Sequence, residues 1–204
     1  MWLAVLGVTM AAGAVVGGLL GVRLLGVPEA ASQAMAAGRA GPRLAQVLAE
    51  LAMRGAGASS RTEPLEVGTA ELNAFLARHV EARHLPLRPV LLHAGDGSLA
   101  VAGRTPLGSL GGAGGWTGRL IGWLPEHLRA VELWISAEGR VEVRPGEAQL
   151  VVTRAAVGDQ PVPVGWLWRA LAVDPRELLV WRLPRVVSAI EVRPGRLLIH
   201  TTRR

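Results

Sequence analysis

Val141-Glu142-Val143-Arg144-Pro145-Gly146 decides the fold of this chain, because an alternating segment runs directly into a Pro-Gly pair. The same pattern returns as Ile190-Glu191-Val192-Arg193-Pro194-Gly195, and apolar residues follow both copies. Alternation with period two is typical of a half-buried strand, and Pro followed by Gly suits the two central positions of a type II turn. Each copy therefore predicts two antiparallel strands joined by a tight turn. True duplication and convergent hairpin chemistry both explain the repeat.

Further strands are predicted around these two hairpins. Residues 87–94 and 98–105 flank Gly95-Asp96-Gly97, which is a strong hairpin signal. Alternation over residues 131–136 predicts another strand, and we expect that strand to turn at Glu138-Gly139. The remaining predicted strands are 148–157, 186–193 and 196–202.

Two helices are predicted before the strands. An apolar stripe indicates the first from Pro42 to Arg54, and the small residues at 55–60 predict a flexible linker after it. The second begins at Thr69, which suits the N-cap, and carries the acidic Glu71 in its first turn.

The composition excludes several classes of protein. The 204 residues are 50% hydrophobic, which rules out a disordered chain. No cysteine is present, so disulfide scaffolds, thiolate zinc sites, cysteine nucleophiles and iron–sulfur clusters are excluded. The net charge of +6 indicates attraction to anionic surfaces. Because the arginines are scattered singly, we expect phospholipid headgroups or an acidic protein as partner, and no nucleic acid.

An uncharged N-terminal segment predicts a membrane anchor. Residues 2–22 carry no charged side chain, and a helix of that length spans roughly 30 Å, the thickness of the hydrocarbon core of a bilayer. A cleaved signal peptide is the competing interpretation, but the segment lacks a basic start and its apolar run exceeds the usual ~7–15 residues. We therefore expect a transmembrane anchor at 1–27, a helical linker at 28–64 and a β-rich extramembrane domain at 65–204.

A stripe of glycines within the anchor predicts helix docking. Gly13, Gly17 and Gly21 recur at every fourth position and share one face of a helix. Small residues at this spacing let another membrane-spanning helix approach closely. The stripe therefore favours packing against other membrane-protein subunits.

Tryptophan and arginine beside apolar segments mark candidate contacts with a membrane or a partner protein. They occur in a glycine-rich region that leads into residues 116–125 and in a predicted short helix at 164–173. Rings with an apolar body and a polar tip, next to arginine, are typical of a membrane interface. A helix that caps a β-rich core has the same composition, and this alternative stays open. The candidate residues are Trp2, Trp116, Arg119, Trp123, Trp166 and Trp168.

The sequence offers little that resembles an active site. Its three aspartates are Asp96, Asp159 and Asp174, and Asp96 is explained by the hairpin turn that contains it. The five histidines lack the HExxH spacing of a zinc protease, and no nucleophile-elbow motif surrounds Ser109. We therefore predict no catalytic residues, no metal site and no cofactor, and a protein that is not an enzyme.

Three short motifs resemble bacterial membrane-anchored proteins with a domain of the tubular lipid-binding (TULIP) superfamily. Residues 65–76 (LEVGTAELNAFL) are similar to the helix opening of such proteins, residues 157–163 (VGDQPVP) to a turn, and residues 190–199 (IEVRPGRLLI) to the closing hairpin. The resemblance implies a curved sheet around a long helix, an apolar groove and an extracytoplasmic domain. The arginines that follow the anchor favour a cytoplasmic domain instead.

The predicted fold class is α+β, with one N-terminal transmembrane helix followed by a β-rich antiparallel domain. We expect this domain to form a curved sheet or barrel-like structure packed with one or two helices. The predicted function is that of a non-enzymatic, single-pass protein of the bacterial inner membrane. It would serve as an accessory subunit of a larger complex, for example a photosynthetic or respiratory assembly, in contact with membrane lipids and other subunits. The alternative is a membrane-anchored, TULIP-like binder or carrier of lipid or another hydrophobic ligand.

Overall fold

The computed structural model describes residues 26–36, 43–79, 87–111, 116–171 and 179–202. These residues form an α+β fold with antiparallel sheets, as the alternating sequence predicts. The predicted anchor segment at 2–22 lies outside them. None of the helices within the described ranges combines the length and apolar character needed to cross a membrane.

A six-stranded antiparallel sheet forms the centre of the fold. Its strands follow the order β2-β3-β4-β5-β6, and β7 pairs with the first residues of β5. The strands are β2 (Val90–Ala94), β3 (Leu99–Pro106), β4 (Glu132–Arg144), β5 (Glu147–Val157), β6 (Gln160–Val162) and β7 (Val180–Arg182).

A second sheet contains three antiparallel strands in the order β1-β9-β8. It consists of β1 (Leu65–Gly68), β8 (Val187–Arg193) and β9 (Arg196–Thr201). This sheet joins β1 to the C-terminal hairpin, because Leu65 lies opposite Ile199.

The helices lie before, between and beside the strands. They are α1 (Glu29–Ala36), α2 (Arg43–Gly55), α3 (Thr69–His79), α4 (Trp116–Gly122), α5 (Glu126–Arg129) and α6 (Val164–Leu171). A 3₁₀ helix at Leu107–Gly111 connects β3 to the segment that contains α4.

The predicted hairpins are confirmed at their turns. Gly95-Asp96-Gly97 lies between β2 and β3, Pro145-Gly146 between β4 and β5, and Pro194-Gly195 between β8 and β9. Gly146 and Gly195 have φ angles of 87° and 74°, in the left-handed region that the second central position of a type II turn requires.

The predicted turn at Glu138-Gly139 is wrong, because β4 continues through both residues. Glu138 lies opposite Arg154 and Gly139 opposite Val152, so Thr153 is an extra residue on β5. This arrangement is a β-bulge, which bends a strand without ending it. A Cβ atom at Gly139 would overlap the carbonyl oxygen of Val151, so the glycine permits close strand approach at the bulge.

The predicted flexible linker at 55–60 is also corrected, because the residues after α2 form a hydrogen-bonded helix cap. Ala58 N donates to Met53 O at 2.8 Å, and Gly57 N donates to Arg54 O at 3.1 Å. Gly57 has a φ of 72°. These are the two bonds and the left-handed residue of a Schellman motif.

Side chains from helices and sheets fill the core. On one face of β4 and β5, Leu133 and Ile135 form a buried cluster with Leu110 and with Leu167 of α6. A second cluster lies between the two sheets and includes Leu99, Leu150 and Val192. A third lies under α2 beside the three-stranded sheet and includes Leu51, Val186 and Val187. A fourth lies under α1 on the opposite face of the six-stranded sheet and includes Ala31, Ala102 and Trp134.

Candidate interaction surface

Several helices gather at one end of the six-stranded sheet, which we call the helical end and define as residues 107–111, 116–131 and 164–171. Pro106, the last residue of β3, lies opposite Glu132, the first residue of β4. Leu107 N donates to Val131 O at 2.8 Å and closes the helical segment onto the strand ends. The chain therefore leaves and re-enters the sheet at this end.

The first described residue lies at the same end of the sheet. A Cβ atom at Gly26 would overlap the carboxylate of Asp159, so the backbone of Gly26 packs directly against that side chain. Asp159 belongs to the turn after β5, and the neighbouring Gly158 N donates to Trp134 O at 2.7 Å. The first described range therefore begins beside the helical end.

Trp123 is the most exposed large apolar side chain among the described residues, with 87% of its surface accessible. Trp123 N donates to Arg119 O at 3.2 Å, which extends the helical turn of α4 to the tryptophan. Residues four apart in a helix share one face, so Arg119 and Trp123 are neighbours on the surface. Both side chains are exposed.

The rest of this segment fixes the position of Trp123. Ile121 packs against the buried cluster of Leu133 and Ile135, and Leu124 is half-buried. Leu124 N donates to Ile121 O at 3.1 Å. Ile121 and Leu124, which are three residues apart, are therefore turned toward the core while Trp123 between them is exposed.

α5, which begins three residues after Trp123, adds further exposed apolar and charged residues. Leu128 is 40% accessible. The charged residues Glu126 and Arg129 are exposed as well, so residues 116–131 carry two arginines, Arg119 and Arg129, and one carboxylate. We call Arg119, Trp123, Leu128 and Arg129 the Trp123 surface.

The other candidate tryptophans have different surroundings. Trp166 packs against the cluster that contains Leu167, and Trp168 contacts both this cluster and the one between the sheets. Both rings are half-buried on α6. This helix thus caps the core, as the alternative interpretation of its sequence suggests.

The remaining candidate residues fall where the structure gives no side-chain position. The backbone of Trp116 begins α4, but its side chain is outside the described part of the structure. Trp2, Gly13, Gly17 and Gly21 precede the first described residue, so their predicted contacts stay predictions.

A polar network beside α2 was not predicted from the sequence. Arg54 is only 7% accessible. It donates from Nη1 to Glu63 O at 2.7 Å and to Thr201 Oγ1 at 2.9 Å, and from Nε to Glu50 at 3.0 Å. A recess of about 330 Å³ adjoins it, lined mostly by arginine, serine, threonine and glycine. The signal that could have identified Arg54 is its spacing three residues after Leu51, which places it on the buried side of the helix.

Hydrogen bonds within this network change the acidity of Glu50. The Ser59 hydroxyl donates to Glu50 Oε1 at 2.7 Å. This bond and the one from Arg54 favour the carboxylate, and they lower the pKa of Glu50 below its ordinary value of 4.5.

Other charged residues form surface ion pairs. Arg104 Nη1 lies 3.3 Å from Glu132 Oε2 across β3 and β4. Arg193 Nε lies 2.7 Å from Glu191 Oε1, and this bond together with the neighbouring His200 lowers the pKa of Glu191. Within the described ranges, no three histidine, aspartate or glutamate side chains are grouped as metal ligands would be.

The chain matches no protein-family model, no curated protein and no solved structure. The TULIP resemblance therefore stays a prediction that rests on its three short motifs.

Proposed function

We propose that this chain is a non-enzymatic, single-pass protein of the bacterial inner membrane and an accessory subunit of a larger membrane complex. The observation that carries the proposal is the position of Gly26 beside the helical end, against Asp159. An apolar segment long enough to span a bilayer precedes Gly26 in the sequence. The helical end is then the part of the domain nearest the membrane.

The sequence of the anchor supports docking on other subunits. Gly13, Gly17 and Gly21 repeat at the small-xxx-small spacing at which membrane helices approach closely. Such contact depends on backbone proximity, because lipid tails are as apolar as leucine and provide no hydrophobic driving force.

The packing of the described core residues supports an accessory role over a lipid carrier. Leu110, Leu167 and Leu171 occupy one face of the central sheet, and Leu150 and Val192 pack between the sheets. A carrier needs an apolar cavity that encloses its ligand. Among the described residues, the recess beside Arg54 is lined mainly by polar residues and does not suit an apolar ligand.

Mild-detergent extraction of the full chain from its native membranes tests the accessory role. We expect the chain to elute in a large complex with other membrane proteins. Gly17→Leu should release these proteins because its side chain blocks the glycine face. Gly18→Leu is the matched control, because it adds the same side chain about 100° away around the helix. A wild-type chain that elutes only as a monomer would contradict the proposal.

We further propose that the domain is extracytoplasmic, as the TULIP resemblance implies. The chain has no cysteine, so one introduced thiol reports its own accessibility. Asp96→Cys places that thiol in the exposed turn between β2 and β3. A membrane-impermeant maleimide should label it in intact cells, whereas labelling only after lysis would place the domain in the cytoplasm.

A further inference from the structure

The Trp123 surface combines an exposed indole with an arginine on the same helical face. Trp123 and Arg119 are one helical turn apart, and the hydrogen bond between their backbones holds this spacing. An indole has an apolar body with one polar N–H, which suits the boundary between lipid tails and headgroups. A neighbouring guanidinium can bind a phosphate with two parallel hydrogen bonds.

The position of this surface relative to Gly26 supports an orientation toward the membrane. Gly26 contacts Asp159 in the turn after β5, and β5 ends beside the start of β4. The segment with α4 and α5 connects to that same start through Val131. If residues 2–22 span the bilayer, as the proposed function requires, the Trp123 surface is on the membrane side of the domain.

We propose that the Trp123 surface is an interfacial contact with anionic phospholipids. Trp123 inserts its ring at the level of the headgroups, and Arg119 binds a lipid phosphate. Arg129 adds a second positive charge, so that two arginines oppose Glu126. The sign of this charge matches a membrane that contains acidic lipids.

Among the described side chains, the apolar part of this surface is small, which favours lipid over a protein partner. The exposed apolar side chains described there are Trp123 and Leu128. One buried tryptophan contributes about 150–250 Å², whereas a stable protein interface buries about 800 Å² on each partner. Interfacial anchoring needs no such area when a membrane-spanning segment already holds the chain at the bilayer.

The firm attachment of the Trp123 backbone also suits a membrane contact. Ile121 on one side packs into the core, and Leu124 on the other is half-buried. The ring is therefore presented without reorganisation of the segment around it. Because Trp123 is 87% accessible, replacing it leaves the packing of the domain intact.

Quenching of tryptophan fluorescence by brominated acyl chains tests this contact. The full chain is reconstituted in vesicles of brominated phosphatidylcholine and phosphatidylglycerol in equal parts. We expect the decrease in quenching relative to wild type to be at least about twice as large in Trp123→Phe as in Trp168→Phe. Trp168→Phe is the control, because it removes a ring that is packed against the core. Equal losses in the two variants would overturn the proposal.

A second comparison tests the recognition of anionic lipid. The quenching that depends on Trp123 is the difference between wild type and Trp123→Phe. It should fall when phosphatidylglycerol is omitted. It should also fall in vesicles with phosphatidylglycerol at about 1 M salt, where the Debye length shortens to about 3 Å. Arg119→Gln should reduce the difference between the two lipid mixtures. Arg144→Gln, an exposed arginine at the opposite end of β4, should leave it unchanged. Quenching that is independent of phosphatidylglycerol would refute the anionic part of the proposal.

These outcomes are separable from failure of the accessory role. If Trp123 is quenched as expected but the wild-type chain extracts as a monomer, the lipid contact stands and the accessory role fails. If Trp123 is not quenched and Trp123→Ala releases the co-purifying subunits, the surface binds protein, which overturns the lipid contact and supports the accessory role.

Discussion

The side-chain amide of Asn73 forms two hydrogen bonds with the backbone of Leu92, in the way a neighbouring strand would. Asn73 Nδ2 donates to Leu92 O at 2.9 Å, and Leu92 N donates to Asn73 Oδ1 at 2.6 Å. Leu92 lies on β2, the edge strand of the six-stranded sheet. Edge strands leave backbone groups unpaired. Asn73 satisfies both groups at this position and joins α3 to the sheet.

Asn73→Asp should destabilise the protein by about 1–3 kcal/mol, because it removes the donor and places a carboxylate against the Leu92 carbonyl. Chemical unfolding of the full chain in detergent, followed by near-UV circular dichroism, measures the change. Ala77→Asp adds the same charge at an exposed position of α3, and should cost about 0.5–1 kcal/mol, less than the Asn73 variant. Equal costs for the two variants would show that the Asn73 bonds contribute nothing specific.

The bulge in the central hairpin predicts a large effect of a single methyl group. In Gly139→Ala, the new Cβ meets the Val151 carbonyl, so the two strands must separate at the bulge. We expect a loss of about 2–3 kcal/mol in the free energy of unfolding.

The same substitution elsewhere should have the opposite sign. Gly165 lies in α6 with no atom within 4 Å of a Cβ built on it. Gly165→Ala should stabilise the protein by about 0.5–1 kcal/mol, because alanine loses less backbone entropy in a helix. If Gly139→Ala were as well tolerated as Gly165→Ala, the close strand contact at the bulge would be disproved.

Local turn chemistry made much of the sheet predictable. Gly95-Asp96-Gly97 and the two Pro-Gly pairs determine backbone conformations within a few residues, and the structure places a hairpin at each. The bulge also has a local signal that was missed. The inward-facing apolar residues of β5 occupy even positions from Ala148 to Val152 and odd positions from Ala155 to Val157. Side chains alternate between the faces of a strand, so one extra residue between these two sets is needed to keep both on the same face.

Contacts between distant residues were not predictable in the same way. The pairing of β1 with β9 and the burial of Ala31 on Trp134 depend on tertiary packing, for which short segments carry no signal. The candidate site shows the same limit. Trp123 and Trp166 both lie in apolar segments with nearby arginine, and only their position relative to the core makes one exposed and the other half-buried.

The network around Glu50 predicts a specific dependence of stability on pH. Its pKa is lowered in the folded state, first by the Ser59 hydroxyl and then by Arg54. A carboxyl group with a lowered folded pKa stabilises the protein at pH values above its unfolded pKa. This contribution should be complete above about pH 5 and lost as the pH falls below 4.5 through the folded pKa.

Ser59→Ala should raise the pKa of Glu50 toward 4.5 and weaken this acid-dependent loss of stability. Carboxyl carbon chemical shifts, followed by NMR through an acid titration, measure the pKa directly. Ser188→Ala, at an exposed serine on β8, is the control and should leave the titration of Glu50 unchanged. A Glu50 pKa that does not move in Ser59→Ala would contradict the assigned role of the hydroxyl.

Arg54 should tolerate replacement by lysine poorly, although the charge is kept. Its guanidinium binds Glu50, Glu63 O and Thr201 Oγ1 from two nitrogens in a fixed planar arrangement, which one ammonium group cannot reproduce. The acceptors are then incompletely satisfied near the core. We expect Arg54→Lys to cost about 1–3 kcal/mol in the free energy of unfolding.

Arg154→Lys is the matched test of whether burial determines this cost. Arg154 forms a 3.0 Å pair with Glu138, but its side chain is 76% accessible. Water and salt screen an exposed pair, so its replacement should change stability by no more than about 0.5 kcal/mol. Chemical unfolding of both variants in the same detergent gives the comparison. If both variants lowered the free energy of unfolding by the same small amount, the hydrogen bonds of the buried guanidinium would not be what holds α2 against Glu63 and β9.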